Sequence, residues 1–445
     1  MSTKNTFKLR KRKSYAVWEI TLQCNLACTH CGSRAGDSRR DELSTEEAFN
    51  LIQQMADVGI SDITLIGGEA YLRKDWLQLV EEITKAGMIC TMVTGGYGIS
   101  AENAKRMKRA GLHSVSVSLD GMRYAHDQQR GKIGSWDQAF QSLEHFRNAG
   151  IPITANSQVN RLSFNDFPNL YQKLVDSGVS AWQIAMTVPM GNAADNTDIL
   201  LQPKELQVVH PVLAYLLNRG LKDGLSMQVG NNVGYYGPYE RLMRSYSSDN
   251  EYGFWRGCNA GLATLGIEAD GAIKGCPSLP THAYTGGNIR EQPLIDIVSQ
   301  SDELNINMNA GTEEGTDHLW GFCKTCEHAD LCRGGCTWTA HVFFNKRGNN
   351  PYCYHRSLVN AAQGKQEQLS LIRKADGLPF DNGEFTSKTV DLSENLPYKL
   401  ESITVDSIKF PSKWLDDDSK IRADLKAEIE NNITMVQEYL ARKAM

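Results

Sequence analysis

Three thiols converge on one short loop where the chain reads CNLACTHC, from Cys24 through Cys28 to Cys31. At C-x3-C-x2-C spacing they can ligate a single inorganic centre without help from distant sequence. A structural zinc site closes with four ligands and an iron–sulfur cubane has four irons to cap, so this loop leaves one position open for chemistry. Taken alone, the loop also allows a zinc site or incidental thiols. Composition narrows the choice. Eleven cysteines stand in a chain with no secretory h-region and no apolar run near the roughly 18 residues that span a bilayer. A cytoplasmic, reducing setting follows, in which cysteines read as ligands or buried apolar residues rather than disulfides. Cys90, inside the apolar run from Met88 to Val93, reads as core.

The chain around the loop repeats one pattern. Strand-like runs at 16–21, 62–66, 88–93, 114–119, 153–159 and 182–188 alternate with amphipathic segments, notably at 44–58, 100–110, 135–149 and 165–177. Ser44 followed by Glu47 is a helix-start signal, because each side chain can satisfy the other's backbone N–H. Strands separated by helices predict a parallel sheet, since parallel neighbours need crossover connections. Six repeats predict an α/β fold built as a partial (β/α)6 TIM-like barrel, with its chemistry at the C-terminal ends of the strands. The polar and glycine motifs fall at those ends: the cysteine loop, then Gly67-Gly68-Glu69, Thr94-Gly95-Gly96 and Asp120-Gly121.

The second half is cysteine-rich. Cys258 and Cys276 flank a segment from Ile267 to Lys274 that reads as a β-hairpin with an Asp270-Gly271 turn. Cys323, Cys326, Cys332, Cys336 and Cys353 follow. The three-cysteine loop, with Gly67-Gly68-Glu69-Ala70 standing where a GGEP motif would be, resembles the radical S-adenosylmethionine (SAM) superfamily. The seven later cysteines resemble the SPASM domain, an auxiliary-cluster domain found behind radical SAM barrels. The resemblance covers about 15–360 and implies three [4Fe–4S] clusters. Cys24, Cys28 and Cys31 would hold the one that binds SAM. Cys323, Cys326, Cys332 and Cys353 would close an auxiliary cluster, and Cys258, Cys276 and Cys336 would hold another whose fourth ligand the sequence does not identify. Two zinc ribbons are the alternative for the seven. Gly67, Gly68 and Glu69 would hold the SAM amine, Ser118 and Asn156 its ribose or carboxylate, and His30 would lie near the adenine. Cluster and SAM together would supply a 5′-deoxyadenosyl radical that abstracts hydrogen from the substrate.

These readings divide the chain into a basic tail at 1–14, a barrel at 15–225, a bridging segment at 226–256, a SPASM domain at 257–360 and a helical extension at 361–445. In the last, Ile421, Leu425, Ile429, Ile433, Val436 and Leu440 recur at helical spacing. The run Lys8, Arg10, Lys11, Arg12 and Lys13 is a solvated tail or a contact for an acidic peptide or phosphate, while a net charge of -5 gives no field for nucleic acid. The expected substrate is a ribosomally made peptide to be oxidised or crosslinked. Alternatives are a sulfatase (formylglycine) maturase, disfavoured by Pro277-Ser278-Leu279 after Cys276, an enzyme of small-molecule cofactor biosynthesis, and a non-enzymatic iron–sulfur carrier or scaffold. A flavodoxin- or ferredoxin-type one-electron donor is the expected partner; nucleic acid and membrane are not.

Overall fold

The computed structural model describes residues 14–245, 253–308, 313–394 and 400–444. The basic run at Lys8 to Lys13 lies outside them. One sheet of ten strands organises the molecule, in the order β10-β9-β8-β1-β2-β3-β4-β5-β6-β7. Its strands are β1 (Ser14–Glu19), β2 (Ile60–Ile66), β3 (Ile89–Thr94), β4 (Ser114–Ser118), β5 (Ile153–Val159), β6 (Ala181–Met186), β7 (Ser226–Val229), β8 (Thr264–Ile267), β9 (Ala272–Lys274) and β10 (Thr285–Asn288). Neighbours from β1 to β7 are parallel, and β8 pairs parallel with β1 on its other side. β9 and β10 run antiparallel at that edge.

Period-two alternation puts the apolar half of each strand against helices. Ile63 and Leu65 of β2, Cys90 and Met92 of β3, and Val115 and Val117 of β4 are buried in one core. Leu79, Val80 and Ile83 of the helix Trp76–Lys85 join that core, as do Leu51, Ile52 and Met55 of the helix Thr45–Asp57. The latter begins as its sequence predicts: the Ser44 hydroxyl accepts from the Glu47 N–H at 3.2 Å and the Glu47 carboxylate accepts from the Ser44 N–H at 2.8 Å. Alternation leaves Val17, Thr64, Thr91, Ser116, Asn156 and Gln183 on the opposite face, all partly or fully exposed, together with the charged Asp62 of β2 and the buried Glu19 of β1.

Three features differ from the sequence reading. Residues 226–229 are a seventh strand rather than part of a bridge. The hairpin at 267–274 forms, but its first strand is also annexed to the barrel sheet through β1. The extension carries one long helix, Asp418–Ala444, entered through short 3-10 turns at Val405–Ser407 and Ser412–Asp417, and Ile421, Leu425 and Val436 of that helix are buried as the spacing predicts. Before it, β11 (Lys365–Arg373) and β12 (Glu384–Asp391) form a separate antiparallel hairpin. Arg39 ties the two halves together, reaching Glu268 at 2.9 Å and Asp270 at 3.1 Å on the hairpin and Glu19 at 3.5 Å on β1. No helix among the described residues is long and apolar enough to cross a membrane.

Candidate functional site

The cysteine loop leaves the C-terminal end of β1 and is closed by one carboxylate. Glu42 Oε1 accepts from the Thr21 hydroxyl at 3.0 Å, the Leu22 N–H at 2.9 Å and the Arg39 N–H at 3.0 Å, so both ends of the loop are held by the same atom. Within it, the Cys24 N–H donates to Gly36 O at 2.8 Å, and the Ala27 and Thr29 N–H groups donate to Arg130 O and Gln129 O at 3.1 and 2.9 Å. Each sulfur faces a donor. Leu26 N–H lies 3.4 Å from Cys24 Sγ, Ala35 N–H 3.4 Å from Cys31 Sγ, and Arg130 Nη1 3.7 Å from Cys28 Sγ. Burial pushes the Cys24 thiol up to about 12 and the Cys28 thiol to about 11. Left alone these thiols stay protonated at neutral pH, whereas a bound metal deprotonates its thiol ligands outright. The donor set therefore fits an iron–sulfur cluster: soft ligands from one loop, with N–H groups aimed at them.

Glu69 sits beside this loop at the end of β2. Its backbone N–H donates to Gln23 O at 2.8 Å, and its carboxylate accepts from the Gly95 N–H at 2.6 Å and from the Thr94 hydroxyl. Burial raises it to about 7. Gly67 and Gly68 press against the loop so closely that a Cβ at Gly68 would stand 2.4 Å from Gln23 O and 2.6 Å from Cys24 Cβ. Ser118 and Asn156 meet on neighbouring strands, with Asn156 Nδ2 donating to Ser118 Oγ at 3.0 Å. His30 is 7% exposed, its Nε2 lies 3.7 Å from the Asp120 carboxylate, and burial lowers it to about 4, so the ring is neutral. Its Nδ1 is buried without a hydrogen-bond partner.

One residue of this site, Arg130, is marked by no sequence motif. Arg130 pairs with the buried Asp120 and reaches Cys28, placing a cation beside the three sulfurs. Asp120 was legible only as the end of a strand. Arg130 ends a helix with no local signal, since its role depends on a partner 102 positions away.

The later cysteines gather in two groups. Cys323, Cys326, Cys332 and Cys353 line one small cavity with Tyr236, Phe322, His328 and His355. Burial raises the thiols of Cys332 and Cys353, and the neighbouring cysteines raise them further. Cys336 is pushed up to about 12 by burial and then by Cys258 and Cys276, which places these three together. Trp338, two residues after Cys336, packs against both groups' surroundings and donates from Nε1 to Met190 Sδ at 3.1 Å. All eleven cysteines are free of disulfides. Four thiols around one cavity, two buried and two partly buried, with the Arg356 cation favouring the thiolates of Cys323 and Cys353, suit a cluster better than isolated core residues.

Comparison with known proteins agrees with this arrangement. The Radical SAM superfamily pattern matches residues 18–173, and the SPASM iron–sulfur cluster-binding domain matches 258–327. The chain is 31% identical over 357 residues to an AdoMet-dependent heme synthase of Nitratidesulfovibrio vulgaris, covering 76% of this chain and 92% of that protein. It is 30% identical to an Fe-coproporphyrin III synthase of Methanosarcina barkeri, covering 78% and 88%. It is 29% identical to the mycofactocin maturase MftC of Mycolicibacterium smegmatis, covering 72% and 77%. Among solved structures, SuiB of Streptococcus suis bound to S-adenosylmethionine superimposes with a TM-score of 0.59 at 15% identity, over 78% of this chain and 76% of that one. With its three-thiol loop on the catalytic rim of a parallel sheet and seven cysteines behind it, the chain belongs to the radical SAM superfamily and is a radical SAM/SPASM enzyme.

Proposed function

We propose that this enzyme acts in cofactor biosynthesis on a tetrapyrrole of the heme or iron–coproporphyrin kind. The observation that carries the reading is the identity of 31% and 30% to two relatives named for heme and Fe-coproporphyrin synthesis. The peptide substrate expected from the sequence becomes the second reading, favoured by the likeness to the mycofactocin maturase.

In this reading Cys24, Cys28 and Cys31 would hold the SAM-binding cluster. Glu69 would receive the SAM ammonium, with Gly67 and Gly68 allowing the approach and Ser118 and Asn156 offering a hydroxyl and an amide. Cluster and SAM, when bound, supply the 5′-deoxyadenosyl radical that takes a hydrogen atom from the substrate. Arg130, held by Asp120, keeps a positive charge against Cys28 and so favours added negative charge there. The two later cysteine groups would carry auxiliary [4Fe–4S] clusters, and a flavodoxin- or ferredoxin-type protein would deliver the electron. The enzyme would work in the cytoplasm, where its thiols stay reduced.

Two results test these assignments. Anaerobic, reconstituted enzyme with SAM, dithionite and iron–coproporphyrin III is expected to change the mass of the porphyrin. An unchanged porphyrin alongside accumulating 5′-deoxyadenosine would contradict the substrate. Glu69 is half protonated at about pH 7, and only its ionised form attracts an ammonium. The Kd for SAM is therefore expected to rise roughly eightfold on going from pH 7.5 to pH 6. Calorimetry should show this slope for the wild type and a flat profile for Glu69→Gln.

A further inference from the structure

We propose that the tip of the C-terminal hairpin, residues 377–382 between β11 and β12, is a positioning element of the radical site, with Asp381 as its central residue. Sequence distance hides the connection, because Asp381 lies 347 positions from the arginine it grips. One oxygen of Asp381 folds the tip, accepting from the Gly377 N–H at 2.6 Å and the Leu378 N–H at 2.9 Å. The other accepts from Arg34 Nε at 2.9 Å, three residues beyond Cys31. Arg34 is held from the far side by Asn192 and Asp195.

The backbone of the tip repeats the grip. The Phe380 N–H donates to Gly32 O at 3.0 Å, and the Gly191 N–H donates to Asp381 O at 2.8 Å. Asn382 pairs with Met190, and the Asn192 N–H donates to Cys31 O at 2.9 Å. Phe380 takes φ of +56°, a left-handed conformation that a bulky side chain adopts only when its surroundings impose it.

The same tip reaches the auxiliary domain. The Phe380 ring lies under the Lys274 ammonium at 3.9 Å, two residues before Cys276. Asn382 Nδ2 donates at 2.7 Å to Asn345 Oδ1, and Asn345 ends the helix Thr337–Phe344 whose first cap is Cys336. Three residues of the extension, Phe380, Asp381 and Asn382, thus touch the exit of the three-cysteine loop, the strand that ends two residues before Cys276 and the helix capped by Cys336. A segment that served only to stabilise the fold has no reason to concentrate its polar contacts on the elements bearing two ligand groups.

The test uses the full-length enzyme with its clusters reconstituted under anaerobic conditions. Asp381→Ala is expected to speed hydrogen exchange of the amides at 24–36 by about fivefold while leaving those of β4 unchanged. It is also expected to slow 5′-deoxyadenosine formation from SAM and dithionite by about tenfold at unchanged iron content. The change that SAM causes in the electron-resonance signal of the reduced cluster should broaden or shift. Asp381→Asn keeps an oxygen for Gly377 and Leu378 but loses the charge facing Arg34; it should show the same changes at smaller size and decides the matter if the alanine variant does not fold. A lowered Tm with exchange at 24–36, cleavage rate and cluster signal all as in the wild type would overturn the proposal. None of these readouts involves the organic substrate, so their failure is distinct from a failure of the tetrapyrrole reading.

Discussion

Replacing Cys24, Cys28 and Cys31 together by alanine is expected to abolish SAM cleavage, a loss beyond about a millionfold, while the iron expected at the later cysteines is retained. The loop offers no substitute for three thiolates: the Ser33 hydroxyl, 3.6 Å from Cys31 Sγ, is a poor iron ligand beside a thiolate, and His30 could supply one nitrogen at most. Arg130, left facing an empty loop, keeps its pairing with the buried Asp120, so the strand ends stay in place. The later cysteines sit on other elements, four of them around a cavity of their own, so iron bound there would not depend on the first loop. Iron analysis together with chromatography of the SAM products checks both halves. A triple variant that still forms 5′-deoxyadenosine would move the cleavage site elsewhere.

The second large effect comes from a single methyl group. In Gly68→Ala the new Cβ meets Gln23 O at 2.4 Å, Leu22 O at 2.6 Å and Cys24 Cβ at 2.6 Å, so backbone must move. Overpacking of this kind costs about 1–3 kcal/mol, a price most domains of this size survive. The damage falls on catalysis, because the parts forced apart are the cluster loop and the turn carrying Glu69. A displacement near 1 Å there is expected to lower the cleavage rate by about a hundredfold. Gly36→Ala is the control, since a Cβ at Gly36 has nothing within 4 Å, and it should cleave SAM at the wild-type rate. Equal rates for the two variants would show that the close contact has no catalytic meaning.

Much of the architecture was legible because its signals are local. The strands β2, β3 and β4 are short apolar runs that end at glycines, and their C-terminal ends collect the polar motifs. The cysteine spacing named the family. What was illegible depends on the fold. Ser226–Val229 buries one side chain, Met227, and so carries no pattern strong enough to mark an edge strand. The pairing of Thr264–Ile267 with β1 joins segments about 250 residues apart, which no periodicity encodes. The strands Lys365–Arg373 and Glu384–Asp391 are rich in charge and lie outside the main sheet, so their alternation reads as surface. Arg130 and Asp381 were missed for a related reason: each is an ordinary charged residue until the chain brings a cysteine or an arginine of the first loop against it. The substrate was the least legible of all. Cluster ligands constrain spacing tightly, whereas the sheet face that would meet the substrate is made of common small residues such as Thr64, Thr91 and Ser116.

The central claim is that the three-thiol loop makes this chain a SAM-cleaving enzyme. The direct measurement is anaerobic incubation of the cluster-loaded protein with SAM and dithionite, followed by quantification of methionine and 5′-deoxyadenosine. The two are expected to appear together and only when the reductant is present. Their absence from protein in which iron and sulfide analysis shows the clusters to be in place would contradict the account and leave a cluster-binding carrier in its stead.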